Sequence, residues 1–148
     1  MIIDNVTLKD FCEIYNLERR SFKKDSFSKD LIFNLIKTNT YFFKLIDDEL
    51  SNSIIGFIII IQDREDRLNL INFLIRKGER KRGYGSFLLK YTLKKVIALD
   101  KIKTIVLNVN SKNKAAISLY QKFNFRIVNR IENYYRDKQS AYLMILNI

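Results

Sequence analysis

The feature that most constrains this chain is how rarely it is punctuated. It has 148 residues with four glycines and no proline. Two of those glycines stand two apart in Arg80-Lys81-Arg82-Gly83-Tyr84-Gly85-Ser86. An apolar run, Leu68 to Ile75, comes just before, and helical spacing, Phe87 to Leu99, comes just after. Strand, basic glycine turn and amphipathic helix, in that order, build an anion site from backbone N–H groups. Glycine lets the chain pass close to a ligand, and the helix start supplies unpaired donors and about half a positive charge. Five of the seven residues from Arg76 to Arg82 are basic, so the pattern points to a ligand carrying phosphates. It is not a P-loop, because no Gly-Lys-Ser/Thr closes the turn. It is not the dinucleotide fingerprint either, because Leu88 stands where a third glycine would be. Taken alone, the match also fits an ordinary helix-start turn.

The bulk numbers narrow the class. A chain of this length suits one domain with one core, here residues 1–148. Hydrophobic residues make up 47% and charged residues 29%, a soluble globular balance. No apolar run reaches the ~18 residues of a membrane span, and the start lacks the regions of a signal peptide. The single cysteine, Cys12, excludes an internal disulfide and offers no metal cluster, and no histidine is available as base or ligand. A cytoplasmic protein without metal or membrane partner is the expectation. The net charge of +11 suggests an anionic partner such as nucleic acid, a ribosome or a phosphorylated cofactor. A lysine-rich solvated surface, produced by biased codon use, explains the bulk of the charge as well.

Periodicity predicts the order βααβββαβαββ, an α+β fold. Ile2 to Val6 reads as a strand, and Thr7 caps a helix with apolar positions Leu8, Phe11, Cys12, Ile14, Tyr15 and Leu17. Ser28 caps a second helix with Leu31, Ile32, Leu35 and Ile36. Tyr41 to Ile46 is a strand. Ser53 to Gln62 is a continuous β-branched run suited to a central strand buried on both faces. Leu68 to Ile75, Thr104 to Val109, Arg126 to Tyr135 and Ala141 to Leu146 complete the sheet, the last two as an antiparallel pair. The remaining helices are Ser86 to Leu99 and Asn113 to Phe123. Asn124 falls where a helix end wants a left-handed residue.

A second constellation runs from Ser111 to Phe125. Asn113 stands at a helix start, where its amide can cap or reach a ligand, and Tyr120 lies roughly 10 Å further along the helix axis. By itself Tyr120 reads as a core aromatic. Together, the two constellations resemble the GNAT superfamily of acetyl-coenzyme A-dependent N-acetyltransferases. Arg80 to Gly85 is similar to its Q/R-x-x-G-x-G/A loop, and Asn113 to Phe125 to its N-x-x-A-x-x-L-Y-x-x-x-G-F segment. The chain looks most like the ribosomal-protein N-terminal alanine acetyltransferases and related protein Nα-acetyltransferases. Leu107 to Asn113, Asn133-Tyr134-Tyr135 and Leu17 to Phe22 carry that narrower likeness.

The resemblance implies a mixed, mostly antiparallel sheet with helices on both faces, and acetyl-coenzyme A as co-substrate. It implies that backbone groups of Phe73, Leu74 and Ile75 pair with the pantetheine arm. Arg80, Lys81, Arg82, Gly83, Tyr84, Gly85 and Ser86 would cradle the pyrophosphate, with Asn113 on the arm and Tyr120 near the thioester sulfur. The acceptor would be a protein N-terminus, including that of a ribosomal or other basic protein, lined by Glu18, Tyr134 and Tyr135. The glutamate that deprotonates the amine in that subfamily falls on Asn108, whose amide can only position a water. The expectation is direct transfer with Tyr120 as general acid and a water near Asn108, relayed to Glu18. Glu18 also reads as a solvated helix carboxylate. Because Tyr134 and Tyr135 are adjacent on an expected strand, at most one of them would face a given groove. A lysine or small-amine acetyltransferase, a catalytically silent coenzyme A module and a basic nucleic-acid-binding domain are the rival readings.

Overall fold

In the computed structural model, which describes residues 1–38, 40–49 and 51–148, seven strands form one sheet in the order β1-β2-β3-β4-β5-β7-β6. The strands are β1 (Ile2–Asn5), β2 (Tyr41–Asp47), β3 (Ser53–Arg64), β4 (Arg67–Ile75), β5 (Thr104–Asn110), β6 (Arg126–Ile131) and β7 (Ala141–Asn147). The helices are α1 (Phe11–Phe22), α2 (Lys29–Lys37), α3 (Tyr84–Ile97) and α4 (Lys114–Lys122), with short 3-10 turns before α1, after α1 and before α3. Only β4 and β5 run parallel, as expected where a helix makes the crossover between them. The element order is the one the sequence predicts. The limits shift at β6, which stops four residues short of the expected Tyr135 because Glu132 and Asn133 turn the chain, Asn133 with φ +54°.

The sheet separates two apolar layers. Ile55, Ile58 and Ile60 of β3 face Leu88, Leu89, Leu93 and Val96 of α3 and Tyr120 of α4. Ile54, Phe57 and Ile59 face Ile14 and Leu17 of α1 and Ile32 and Leu35 of α2. The continuous apolar run of β3 is therefore buried on both faces, as its composition requires. Ion pairing and capping fix the α1 side: Lys44 meets Asp10 at 2.7 Å, and the Ile54 N–H donates to Glu13 at 2.7 Å. Ser28 caps α2 by accepting from the Leu31 N–H. Asn124 ends α4 with φ +72°, and the Phe125 N–H closes back on the Tyr120 carbonyl at 3.1 Å. This is the left-handed stop expected of it.

Irregularities in β3 and β4 shape the part of the sheet where the helices α3 and α4 begin. The register passes from Ile59↔Asn72 to Ile60↔Leu70, so Ile71 is an extra residue in β4. Such a bulge sends side chains on either side of it to opposite layers from those that strict alternation would give. Leu68 and Leu70 accordingly lie in the α3/α4 layer, and Leu74 in the α1/α2 layer. Gly56 lets the two strands approach here, since a Cβ at that position would sit 2.6 Å from Ile75 Cδ1 and 2.7 Å from the Leu74 carbonyl oxygen. We expect Gly56→Ala to lower the unfolding free energy by about 1–3 kcal/mol, the usual range for overpacking. Urea denaturation measures it, and an unchanged midpoint would show that the strands shift freely.

Candidate functional site

The site begins where two strands part. β4 and β5 pair from Arg67↔Thr104 to Leu70↔Leu107, up to the bulge. Beyond it β4 keeps its β3 partner as far as Gly56↔Ile75, and β5 keeps its β7 partner as far as Asn110↔Ala141. Each strand therefore offers an unpaired edge to the other. The Arg76 N–H donates to the Ile55 carbonyl at 2.7 Å. Alternation then turns the peptide groups of Leu74 toward β3 and those of Phe73 and Ile75 toward the gap. The Ile75 carbonyl accepts from Arg80 Nε at 2.8 Å.

The glycine turn closes one end of this gap. Lys81 (φ +65°) and Gly83 (φ +83°) are left-handed, and Gly83 occupies the cap position of α3. The N–H groups of Tyr84, Gly85 and Ser86 have no partner among the described residues, as expected in a first helical turn. Gly85 lies close over the strands: a Cβ there would be 3.4 Å from Leu119 Cδ2 and 3.8 Å from side-chain atoms of Ile75 and Phe73. The result is a cradle of unpaired donors at a positive helix end. Among its cations, Arg82 is held by Glu79 at 2.8 Å and Arg80 by the Ile75 carbonyl. Lys81 is exposed.

Across the gap stands α4. The Tyr120 ring is buried against Phe73 and Phe125, with centroids 6.3 and 5.7 Å away. No buried side-chain N or O among the described residues lacks a partner. Among the described residues the Tyr120 hydroxyl makes no hydrogen bond, so its donor is unused there. Burial, with a smaller contribution from Tyr135, pushes its pKa well above the ordinary phenol value. Asn113 Oδ1 accepts from the Ala116 N–H at 3.2 Å, so its amide oxygen caps α4 and only its Nδ2 is left for a ligand. Asn108 lies exposed on β5 beyond the parting, and its Nδ2 donates to the Tyr134 hydroxyl at 3.3 Å. Tyr134 and Tyr135 are in the β6–β7 loop rather than on a strand. Both N–H groups bond the Gln139 carbonyl, and the rings meet edge to face at 4.9 Å. The alternation argument does not apply to them: Tyr134 reaches Asn108, while Tyr135, half-buried and pushed up to about 12 mainly by that burial, neighbours Tyr120.

A model of the acetyltransferase (GNAT) family matches residues 8–125. The chain belongs to that family. Its relatives include an N-alpha-acetyltransferase of Sulfolobus acidocaldarius, 36% identical over 107 aligned positions, covering 65% of this chain and 64% of that protein. The matched stretch is thus a little under two thirds of that relative's length. An N-alpha-acetyltransferase of Saccharolobus solfataricus is 28% identical over 151 aligned positions, covering 95% of this chain and 89% of the relative. Among solved structures, Ard1 from Thermoplasma volcanium aligns with a TM-score of 0.87 at 24% identity, covering 99% of this chain and 97% of that one. The ribosomal-protein-S18-alanine N-acetyltransferase from Escherichia coli aligns with a TM-score of 0.86 at 24% identity, covering 99% and 93%. Both share the fold, with its mostly antiparallel sheet between two helical layers.

One residue of this GNAT acetyltransferase behaves unlike either expectation for it. Glu18 is neither a solvated carboxylate nor open to an acceptor, because it is 1% exposed. Its Oε2 accepts from the Phe27 N–H at 2.8 Å and its Oε1 from Asn72 Nδ2 at 2.6 Å. It ties the loop after α1 to the residue beside the β4 bulge. Asn72 is not singled out by any motif; its one signal in the sequence is that, like Asn69, it is a polar residue in a mostly apolar strand. Among the described residues no group of acidic, cysteine or histidine side chains could hold a metal ion.

Burial raises the Glu18 pKa, against the lowering effect of its two hydrogen bonds. The folded chain therefore holds this proton more tightly than the unfolded chain does. Its contribution to stability is fullest below the unfolded value and is lost as pH rises through the raised folded one. We expect Glu18→Gln, with the Asn72 amide flipped to accept, to remove this slope. Glu18→Ala should cost on the order of 2–4 kcal/mol by stranding two buried donors. Denaturation midpoints between pH 4 and 7 test both; equal slopes in wild type and Glu18→Gln would remove the titration.

Proposed function

We propose that the chain transfers an acetyl group from acetyl-coenzyme A to the α-amine of a protein N-terminus by direct attack. The observation that carries this is the Tyr120 ring seated on Phe73, beside the unpaired edge of β4. It sets a phenol next to the place where an extended thioester arm can continue the sheet. The relatives named N-alpha-acetyltransferase support the α-amine as acceptor.

The donor fits the residues present. Its pyrophosphate takes the free N–H groups of Tyr84, Gly85 and Ser86 with Lys81, in a turn whose left-handed Gly83 would be strained by any side chain. The pantetheine amides pair with Phe73 and Ile75, the members of β4 whose peptide groups face the gap, and Asn113 Nδ2 reaches the arm from the α4 start. The thioester carbonyl is polarised by the Phe73 N–H, the gap-facing donor beside Tyr120, rather than by that of Leu74, which is turned toward β3. Arg80 helps hold this edge through the Ile75 carbonyl. Arg82 serves through Glu79 in shaping the turn.

The acceptor enters between the loop after α1 and the β6–β7 loop, past Tyr134 and Tyr135. A free α-amine has a pKa of ~7.7–8.0, so much of it is neutral near pH 7.5 without a strong base. Asn108 and the Tyr134 hydroxyl hold a water that carries the amine proton away. The nitrogen attacks the thioester carbon, the C–S bond breaks, and the Tyr120 hydroxyl donates a hydrogen bond to the departing sulfur. With its pKa raised above ~10, Tyr120 stays protonated throughout the working range, while a thiol of ~8.5 needs only stabilisation by that donor. Glu18, with both oxygens held, shapes the entrance and takes no proton. A lysine ε-amine, near ~10.4, would need a stronger base than an amide-held water.

Two measurements test this reading. In a peptide panel with acetyl-coenzyme A, thiol release should appear with free α-amines and not with N-blocked peptides bearing internal lysines; the reverse pattern would reassign the acceptor. Tyr120→Phe should lower kcat about 10²-fold, a usual scale for losing a positioned proton donor. In the wild type kcat/KM should climb through pH ~8 as the amine deprotonates and then stay level to pH ~10. An unchanged kcat in Tyr120→Phe removes it from the step.

A further inference from the structure

The charge is not spread over this molecule. Residues 76–126 hold 14 of the 27 lysines and arginines but only two of the 16 aspartates and glutamates, Glu79 and Asp100. That stretch carries +12, and the other residues together carry −1. It comprises α3, β5 and α4 with their flanking turns, and both of these helices pack on the same face of the sheet. The other 13 lysines and arginines, Lys9, Lys29 and Lys37 of the α1/α2 side among them, are offset by 14 carboxylates, so biased lysine use alone does not explain this partition. The glycine turn accounts for part of the excess. Lys90, Lys94, Lys95, Lys101, Lys103 and Lys122 lie beyond it, all exposed and none in an ion pair among the described residues.

Three of these lysines rim a groove of about 630 Å³ between the ends of α3, α4 and β7. Lys90, Lys94 and Lys122 stand at its edge, Leu93, Ile97, Phe123 and Leu146 form an apolar floor, and Asn124 and Asn147 add amides. Ile97 is 13 residues along α3 from Tyr84, roughly 20 Å from the glycine turn. The groove is therefore separate from the acetyl-transfer site. Cations around an aromatic and aliphatic floor suit a strand whose phosphates take the lysines and whose unstacked bases lie on the floor. The two amides can pair with a 2′-hydroxyl, which is both donor and acceptor. We infer that this groove and the basic face around it dock single-stranded RNA while the opposite end of α3 serves catalysis.

The test is fluorescence anisotropy with a labelled 15-nucleotide oligouridine and the full chain, from 25 to 200 mM salt. Replacing Lys90, Lys94 and Lys122 together by Gln should weaken binding at least tenfold at 50 mM salt. It should also flatten the slope of log affinity against log salt by about 2, from ~0.7 per phosphate contact in single strands. Acetyl-coenzyme A KM and the thermal midpoint should stay unchanged. Replacing Lys9, Lys29 and Lys37, on the α1/α2 side, by Gln should leave RNA affinity within twofold. The proposal is overturned if oligouridine does not bind, or if both triple variants lose affinity alike. Displacement by saturating coenzyme A would place the anion in the glycine turn instead. Equal affinity for oligothymidine overturns the RNA assignment, and equal affinity for polyglutamate replaces it with an acidic protein.

Discussion

Everything that makes this sheet a site depends on the interruption of one strand pair. The parallel ladder between β4 and β5 stops after four residue pairs, at Leu70↔Leu107, where Ile71 is inserted. A regular parallel pair would have sealed both edges. The insertion leaves the outward peptide groups of Phe73 and Ile75 without a strand partner. Unpaired peptide groups in an apolar setting are costly, so such an edge persists only where something else satisfies it. The chain does part of this itself, by bending Arg80 back onto the Ile75 carbonyl. The remainder is a template for an extended, amide-bearing ligand, the same pairing by which a peptide adds to a sheet.

The bulge has a second effect, on side chains. By reversing alternation it puts Phe73 in the layer with Tyr120 and Asn72 in the layer with Glu18. One backbone irregularity thus places the aromatic seat for the phenol on one side and the polar anchor for the loop after α1 on the other. The anchor is expensive to bury, since Glu18 must be stripped of water, and its two hydrogen bonds only partly offset that. A buried carboxylate held by an amide and a peptide N–H is a short, directional tie. It fixes the loop after α1 at the height of β4, which hydrophobic packing alone would do less uniquely.

Much of this was legible in the residues, for identifiable reasons. The β3 run showed burial on both faces because nothing polar interrupts Ile54 to Ile61. Asn124 showed a helix stop because few residues tolerate a left-handed backbone, and the glycine turn stood out in a chain with so few glycines. What escaped the sequence was whatever depends on a count of one. A single inserted residue at Ile71 leaves almost no trace beyond Asn69 and Asn72 standing three apart in an apolar strand. Extending β6 to Tyr135 failed because Glu132 and Asn133 look no more like a turn than many strand residues do. Glu18 was legible as a helix position, yet its burial depends on Phe27 and Asn72, nine and 54 residues away, and no local pattern encodes that.

The partition of charge bears on how the two helical layers divide their work. The layer holding α1 and α2 adjoins the loops by which the proposed acceptor enters, where a strong field of either sign would bias which peptides are admitted. It belongs to the part of the chain that is nearly neutral in sum. In the proposed reaction the layer holding α3 and α4 binds the anionic donor, and a basic surface there raises the rate of encounter without touching acceptor choice. Donor capture needs positive charge only near Arg76 to Ser86. Charge at the far end of α3 adds self-repulsion to the fold and nothing to a pyrophosphate some 20 Å away, a distance beyond the screening length of ~8–10 Å. Its persistence there, around a groove with an apolar floor that includes Phe123, is what a second anionic partner would require.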